Sequence, residues 1–207
     1  MSDMPRGLQK PAPRLVLASG SATRRALLAQ AGFTFDVVAP DVDEGAIKAA
    51  TKGEGGTAEN AAMSLANIKA SAVDDQDALV IGADQILVCG GVWYDKPASL
   101  AAARHQLTEL RGRSHSLVTA VICKRGGQRV WRHIATPKLT MRSFSVEFLN
   151  AYLEAEGDAV LSSVGAYRLE GRGLHLFDAL EGEYSAILGL PMLPLVGFLR
   201  QSGLVLA

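Results

Sequence analysis

The chain has 207 residues, 48% of them hydrophobic and 20% charged, with 21 basic residues balancing 21 acidic ones. This composition fits a globular α/β protein, and a formal charge of zero excludes the basic excess on which general binding of a nucleic acid polymer depends. Cys89 and Cys123 lie far apart and in no metal-ligand spacing, which argues against a disulfide framework or a zinc centre and for a reducing cytoplasm.

Residues 1–13 contain Pro5, Pro11 and Pro13 but no apolar stretch, so they read as a flexible N-terminal tail and not a signal peptide, ahead of a single domain over 14–207. No apolar run approaches the ~20 residues needed to cross a bilayer, so no membrane partner is expected. "RLVLAS" has the continuous apolar character of a strand buried on both faces. The stretch "ATRRALLAQAG" then predicts a helix with Leu27, Leu28 and Ala31 on one face and Gly32 at its C-terminal end, and "FTFDVVAP" predicts a second strand. The polar, Gly-rich "DVDEGAIKAATKGEGG" reads as a mobile loop with one short helical turn. Thr57 is a good N-cap for a helix running to Ser71 and carrying Ala61, Leu65 and Ile68 at helical spacing. "DALVIGADQILVCGGVWYDKP" predicts a strand, a turn at Gly90 and Gly91, and a short return strand.

A third helix is expected over "ASLAAARHQLTELRG", then two long β-rich segments around Gly126 and Gly127 as an antiparallel hairpin. Ser145 caps a further helix that closes at Gly157, and Pro191 opens a terminal one that ends at Gly203. Between them, residues 159–189 are Gly-rich, with loops long enough to carry a site.

Two chemical signals stand out. A buried strand, a turn of small residues with Ser19 and Ser21, and a helix start bearing Arg24 and Arg25 together make a phosphate site; the alternative is that both arginines point to solvent. Asp84 follows "ALVIGA" and is expected at the carboxyl end of a buried strand, where it would hold a divalent cation or orient a water, unless it only caps its own turn. Lys69 and Lys96 could reach an anion there, and the run Asp41, Asp43, Glu44 could add metal ligands, although such groups are more often solvated. The four histidines show no metal spacing and read as structural or exposed.

Read together, "LASGSATRRALLAQAG", "PDVDE", "LANIKA", "IGADQ", "YDKP" and "AYRLEGRGLHLFDALEGEYSAILGLP" resemble, in order from Arg14 to Gly203, the Maf family of nucleoside triphosphate pyrophosphatases. The resemblance implies a fold like that of the inosine triphosphate pyrophosphatases: an elongated mixed β-sheet flanked by helices, two lobes around a cleft, and often a homodimer. It also implies a cytoplasmic housecleaning enzyme, dependent on Mg2+ or Mn2+, that splits a nucleoside triphosphate substrate between its α and β phosphates. Family positions fall on Ser19, Ser21, Arg24, Glu44, Lys69, Asp84 and Lys96. Asp84 then acts on the attacking water, Lys69, Lys96 and Arg24 neutralise phosphate, and Glu44 joins Asp84 on the metal. Arg25, turned roughly 100° from Arg24 on a helix, is an auxiliary contact.

Substrate choice in the family follows three positions, here Thr23, Gln85 and Glu170. Gln85 and Glu170 resemble the subgroup acting on 7-methyl-GTP, in which Glu170 would accept from a guanine edge and favour a cationic ring. Thr23 departs from that subgroup's Trp and removes a stacking surface. The alternatives are a dTTP/UTP pyrophosphatase and, in a different class, a nucleotide-binding regulator of septum formation.

Overall fold

The computed structural model describes residues 7–206. In chain order its elements are β1 (Leu15–Ala18), α1 (Ala22–Gln30), β2 (Asp36–Val38), α2 (Glu44–Gly53), α3 (Ala58–Ser71), β3 (Leu79–Cys89), β4 (Val92–Tyr94), α4 (Leu100–Leu110), β5 (Ser114–Arg125), β6 (Gln128–Ala135), β7 (Lys138–Met141), α5 (Val146–Glu156), β8 (Phe177–Glu181), α6 (Tyr184–Ile187) and α7 (Met192–Gln201). The strands form one mixed sheet in the order β2-β1-β3-β5-β7-β8, with β4 on β3 and β6 on β5. Pairing is parallel among β1, β2 and β3 and antiparallel in the hairpins and at β7.

Two compact units make up the chain, and β3 and β5 each run from one into the other. The first takes the chain up to Gln85, Thr119–Ala135 and the segment from Ser185; the second takes Ile86–Val118 and Thr136–Tyr184.

In the first unit the apolar run of β1 is buried on both faces as expected. One face of the sheet packs Leu15, Leu17, Leu79, Ile81 and Val121 against Leu28 of α1 and Leu195 and Leu199 of α7. The other face meets α3 so closely at Gly82 that a Cβ there would overlap the Ala66 carbonyl oxygen, so only glycine fits. The expected loop after residue 41 is a ten-residue helix, α2. Asp43 caps it by accepting from the Ala46 N–H, Glu44 stands in its first turn and Lys52 in its last, which complements the helix dipole. Its glycines mislead because Gly45 and Gly53 sit at the two ends, where a helix loses little by them.

Within the leader, residues 1–6 lie outside the described residues. From there on it is bonded to the C-terminal segment: Lys10 N donates to Leu204 O at 2.8 Å, Leu206 N donates to Leu8 O at 2.9 Å, and Gln9 bridges Val205.

In the second unit α4 and α5 appear where expected, capped by Ser99 and Ser145. The Gly-rich stretch after Gly157 contains three short 3-10 turns (Gly157–Ser162, Val164–Ala166 and Arg172–Leu176) followed by β8. The second long β-rich segment is broken at Thr136 and Pro137 into β6 and β7. Among the described residues no helix is long and apolar enough to cross a membrane.

Candidate active site

The site belongs to the first unit and begins where β1 ends. Ala18 is paired with Gly82, and beyond that point β3 continues without β1 beside it. Ser21 caps α1 by accepting from the Arg24 N–H. The Arg24 side chain reaches from that first turn to the carbonyl groups around the strand end. Its Nε donates to Gly189 O at 2.8 Å, and its Nη1 donates to Ala83 O at 2.9 Å and to Ser19 Oγ at 3.2 Å.

This explains Arg24 at the positive end of a helix. Burial of Arg24, 8% exposed, lowers its pKa, while Asp84 and Glu44 pull it back up. Carbonyls and carboxylates thus compensate what the helix dipole opposes. Gly189, at φ +98°, lets its carbonyl come this close, since a Cβ there would stand 3.3 Å from Arg24 Nε. Arg25, one position on, is exposed.

Asp84 is not at the end of its strand. The apolar run continues through "ILVC", so β3 extends five residues past it, to Cys89; the strand that ends there is the neighbour, β1. Asp84 is 3% exposed and faces α3, where its Oδ1 accepts from Lys69 Nζ at 2.7 Å. The same ammonium lies 2.5 Å from Glu44 Oε1, so one lysine bridges two carboxylates. Lys48, buried on α2, places Nζ 3.9 Å from Glu44 Oε2. Sequence reading missed Lys48 because it lies in what looked like a solvated loop; only the helix turns it under Glu44.

Burial raises the Asp84 carboxyl above its ordinary value, and Lys69 and then Arg24 draw it back down. Its Oδ2 is buried without a hydrogen-bond partner. Two oxygen ligands, one of them otherwise unbonded, suit a hard divalent cation of the kind that takes one or two carboxylates and completes its shell with substrate phosphates. Among the described residues no group of three His, Cys, Asp or Glu could hold a metal without that help. Asp43 commits Oδ1 to the cap of α2.

The remaining candidates divide. Thr23 is half-buried on α1. Gln85, next to Asp84 on a strand, points to the opposite face. There its Nε2 donates to Thr119 Oγ1, Ala186 O and Ile187 O at 2.8, 3.0 and 3.1 Å. Lys96 and Glu170 belong to the second unit: Lys96 is exposed just after β4, and Glu170 lies in a turn with Oε1 3.6 Å from Arg168 Nε. The structure therefore gathers Ser19, Ser21, Arg24, Glu44, Lys69 and Asp84 within one unit and adds Lys48 to them.

The chain matches the family model described as Maf-like protein over residues 14–202. It is 51% identical over 190 residues to a nucleoside triphosphate pyrophosphatase of Granulibacter bethesdensis, covering 91% of this chain and 96% of that protein. A nucleoside triphosphate pyrophosphatase of Rhodospirillum rubrum is likewise 51% identical over 197 residues, 94% and 98% of the two chains. A 7-methyl-GTP pyrophosphatase of Rhizobium meliloti is 44% identical over 195 residues, 93% and 98% of the two chains.

Proposed function

The chain belongs to the Maf-like protein family, and from that premise we propose that this nucleoside triphosphate pyrophosphatase, a hydrolase, acts on 7-methyl-GTP. The observation that carries the chemistry is the buried Asp84 carboxylate, with one oxygen on Lys69 and the other bonded to no protein group. Formally, Arg24, Lys48 and Lys69 outnumber Glu44 and Asp84 by one charge, so the cluster favours a polyanion.

Asp84 takes a proton from water as the water oxygen attacks phosphorus at the α–β bridge. The bond to the bridging oxygen breaks, and its electron pair leaves with pyrophosphate, giving the monophosphate as second product. Arg24 is held in place by three internal bonds, which leaves Nη2 to meet the phosphate chain without reorganisation. Ser19, Ser21 and Lys69 complete the phosphate cradle, with Lys96 and Arg25 as further contacts. Asp84 Oδ2 and Glu44 would hold a divalent cation, Mg2+ or Mn2+, whose chemistry is to neutralise phosphate oxygens as a Lewis acid.

The choice of base rests on Gln85 and Glu170, and the relatives named as acting on 7-methyl-GTP support it. Both cysteines are buried free thiols, in keeping with a cytoplasmic setting. The test is a panel of triphosphates with Mg2+ or Mn2+, scored separately for pyrophosphate and orthophosphate. Highest kcat/KM for 7-methyl-GTP with release of pyrophosphate is the expected result; equal or better turnover of dTTP and UTP would overturn the base assignment and leave the hydrolase.

A further inference from the structure

The face of β3 opposite Asp84 holds a second polar group, and its chemistry has one solution. Gln85 Nε2 faces three acceptors, two of which, the Ala186 and Ile187 carbonyls, can never donate. The third, Thr119 Oγ1, donates its one hydrogen to Ala186 O at 3.1 Å and so offers Gln85 a lone pair. A reversed amide would press its oxygen against two carbonyl oxygens, so the nitrogen is locked inward with both N–H groups engaged. Thr119 is fully buried, and Gln85 only partly. Gln85 Oε1 accepts no hydrogen bond from the protein among the described residues.

We infer that Thr119 is a positioning residue for substrate selection: by accepting from the Gln85 amide and donating to the Ala186 carbonyl it holds Gln85 against the turn whose carbonyls set the nitrogen inward, so Gln85 presents only an acceptor, matched to an N–H on the edge of the base. The inference rests on Gln85 selecting the base, as in the function proposed above, and deepens it. Guanine-type bases carry such donors at N1 and at the exocyclic amine. The Ala186 carbonyl also accepts from Gly189 N at 3.1 Å, and Gly189 O accepts from Arg24 Nε. One short turn thus anchors Gln85 at one end and the phosphate-binding arginine at the other.

Thr119→Val removes the hydroxyl at nearly constant volume. The bond from Gly189 N to Ala186 O survives it, so the turn and the acceptor for Arg24 remain. The experiment measures kcat and KM across the nucleotide panel for wild type, Thr119→Val and Thr119→Ser, together with inhibition by inorganic tripolyphosphate, which has the phosphate chain and no base. We expect Thr119→Val to reduce the kcat/KM ratio of the preferred over the poorest nucleotide about fivefold, a loss of the size one hydrogen bond gives. The loss falls on KM, Thr119→Ser restores the ratio, and tripolyphosphate inhibition is unchanged. An unchanged ratio in Thr119→Val, or an equal loss for every nucleotide with weaker tripolyphosphate inhibition, overturns the inference. A wild-type preference for pyrimidine triphosphates would defeat the 7-methyl-GTP assignment alone, because the Thr119 ratio is still read on whichever nucleotide is preferred.

Discussion

Each unit buries titratable groups, and the two do it in opposite ways. In the second unit His115 and Tyr167 share a hydrogen bond of 2.8 Å, and Phe177 packs edge-on against the tyrosine ring. Burial pushes the His115 imidazolium down to about 4 and the Tyr167 phenol upward, so both are neutral near pH 7. In the first unit Arg24, Lys69 and Asp84 are also buried, yet they are arranged as ions. Burying an ion costs several kcal/mol even after relaxation, and a paired ion seldom stabilises a fold more than apolar residues would. The neutral pair is what stability alone selects; the charged cluster is what the phosphate site proposed above requires.

The largest expected effect breaks that contrast at its centre. Asp84→Asn keeps the shape and removes the charge, and should lower kcat by about 10³-fold while changing triphosphate affinity little. Pyrophosphate release and equilibrium binding with a non-hydrolysable triphosphate check the two halves. Because burial raises the Asp84 carboxyl, wild-type activity should fall as the pH drops through a value above the ordinary carboxylate range. A pH–rate profile whose acid limb lies at or below that range would contradict the assignment.

Next comes Arg24→Lys, which preserves the charge but cannot satisfy Ser19 Oγ, Ala83 O and Gly189 O in one geometry. A loss of about 100-fold in kcat/KM and about 2 kcal/mol of stability is expected, read from kinetics and urea denaturation. The same change at exposed Arg25 should alter kcat/KM by less than about tenfold. Comparable losses at both would mean that burial does not distinguish the two arginines.

The smallest effect sharpens the other side. His115 has its ordinary value of 6.5 when unfolded and about 4 when folded, so between those values the unfolded state binds the extra proton. Stability is therefore complete above pH 6.5 and declines as the pH falls toward 4, by roughly 3 kcal/mol at most. His115→Gln should flatten the dependence of the urea midpoint on pH over that window. An unaltered slope would show that His115 is not buried neutral.

Much of this was legible in the residues. Apolar runs, capping residues such as Thr57, Ser99 and Ser145, and glycine turns marked the strands and most helices, because those signals act within a few residues. The helix α2 was missed because its glycines looked like a loop, while its stability comes from Asp43 and from residues that meet α3. The candidate site residues Ser19, Arg24, Lys69 and Asp84 are all named by local chemistry and the family resemblance, but Asp84 is expected at the end of its strand, whereas β3 continues to Cys89 and it is the neighbour β1 that stops. A run of apolar residues tells where a strand begins; it does not tell where its neighbour stops.

From the amino-acid order alone came the family, the turn proposed to bind phosphate and the carboxylate proposed to act on water, since each is carried by residue type at short spacing. Tertiary packing decided the rest: that Lys69 bridges Glu44 and Asp84, that Lys48 joins them, that Arg24 is anchored by carbonyls 59 and 165 positions away, and that Gln85 turns its nitrogen inward. Those are hydrogen bonds and charge pairs between groups distant along the chain. Their directions depend on which face of a strand or helix each side chain occupies, and folding alone sets that.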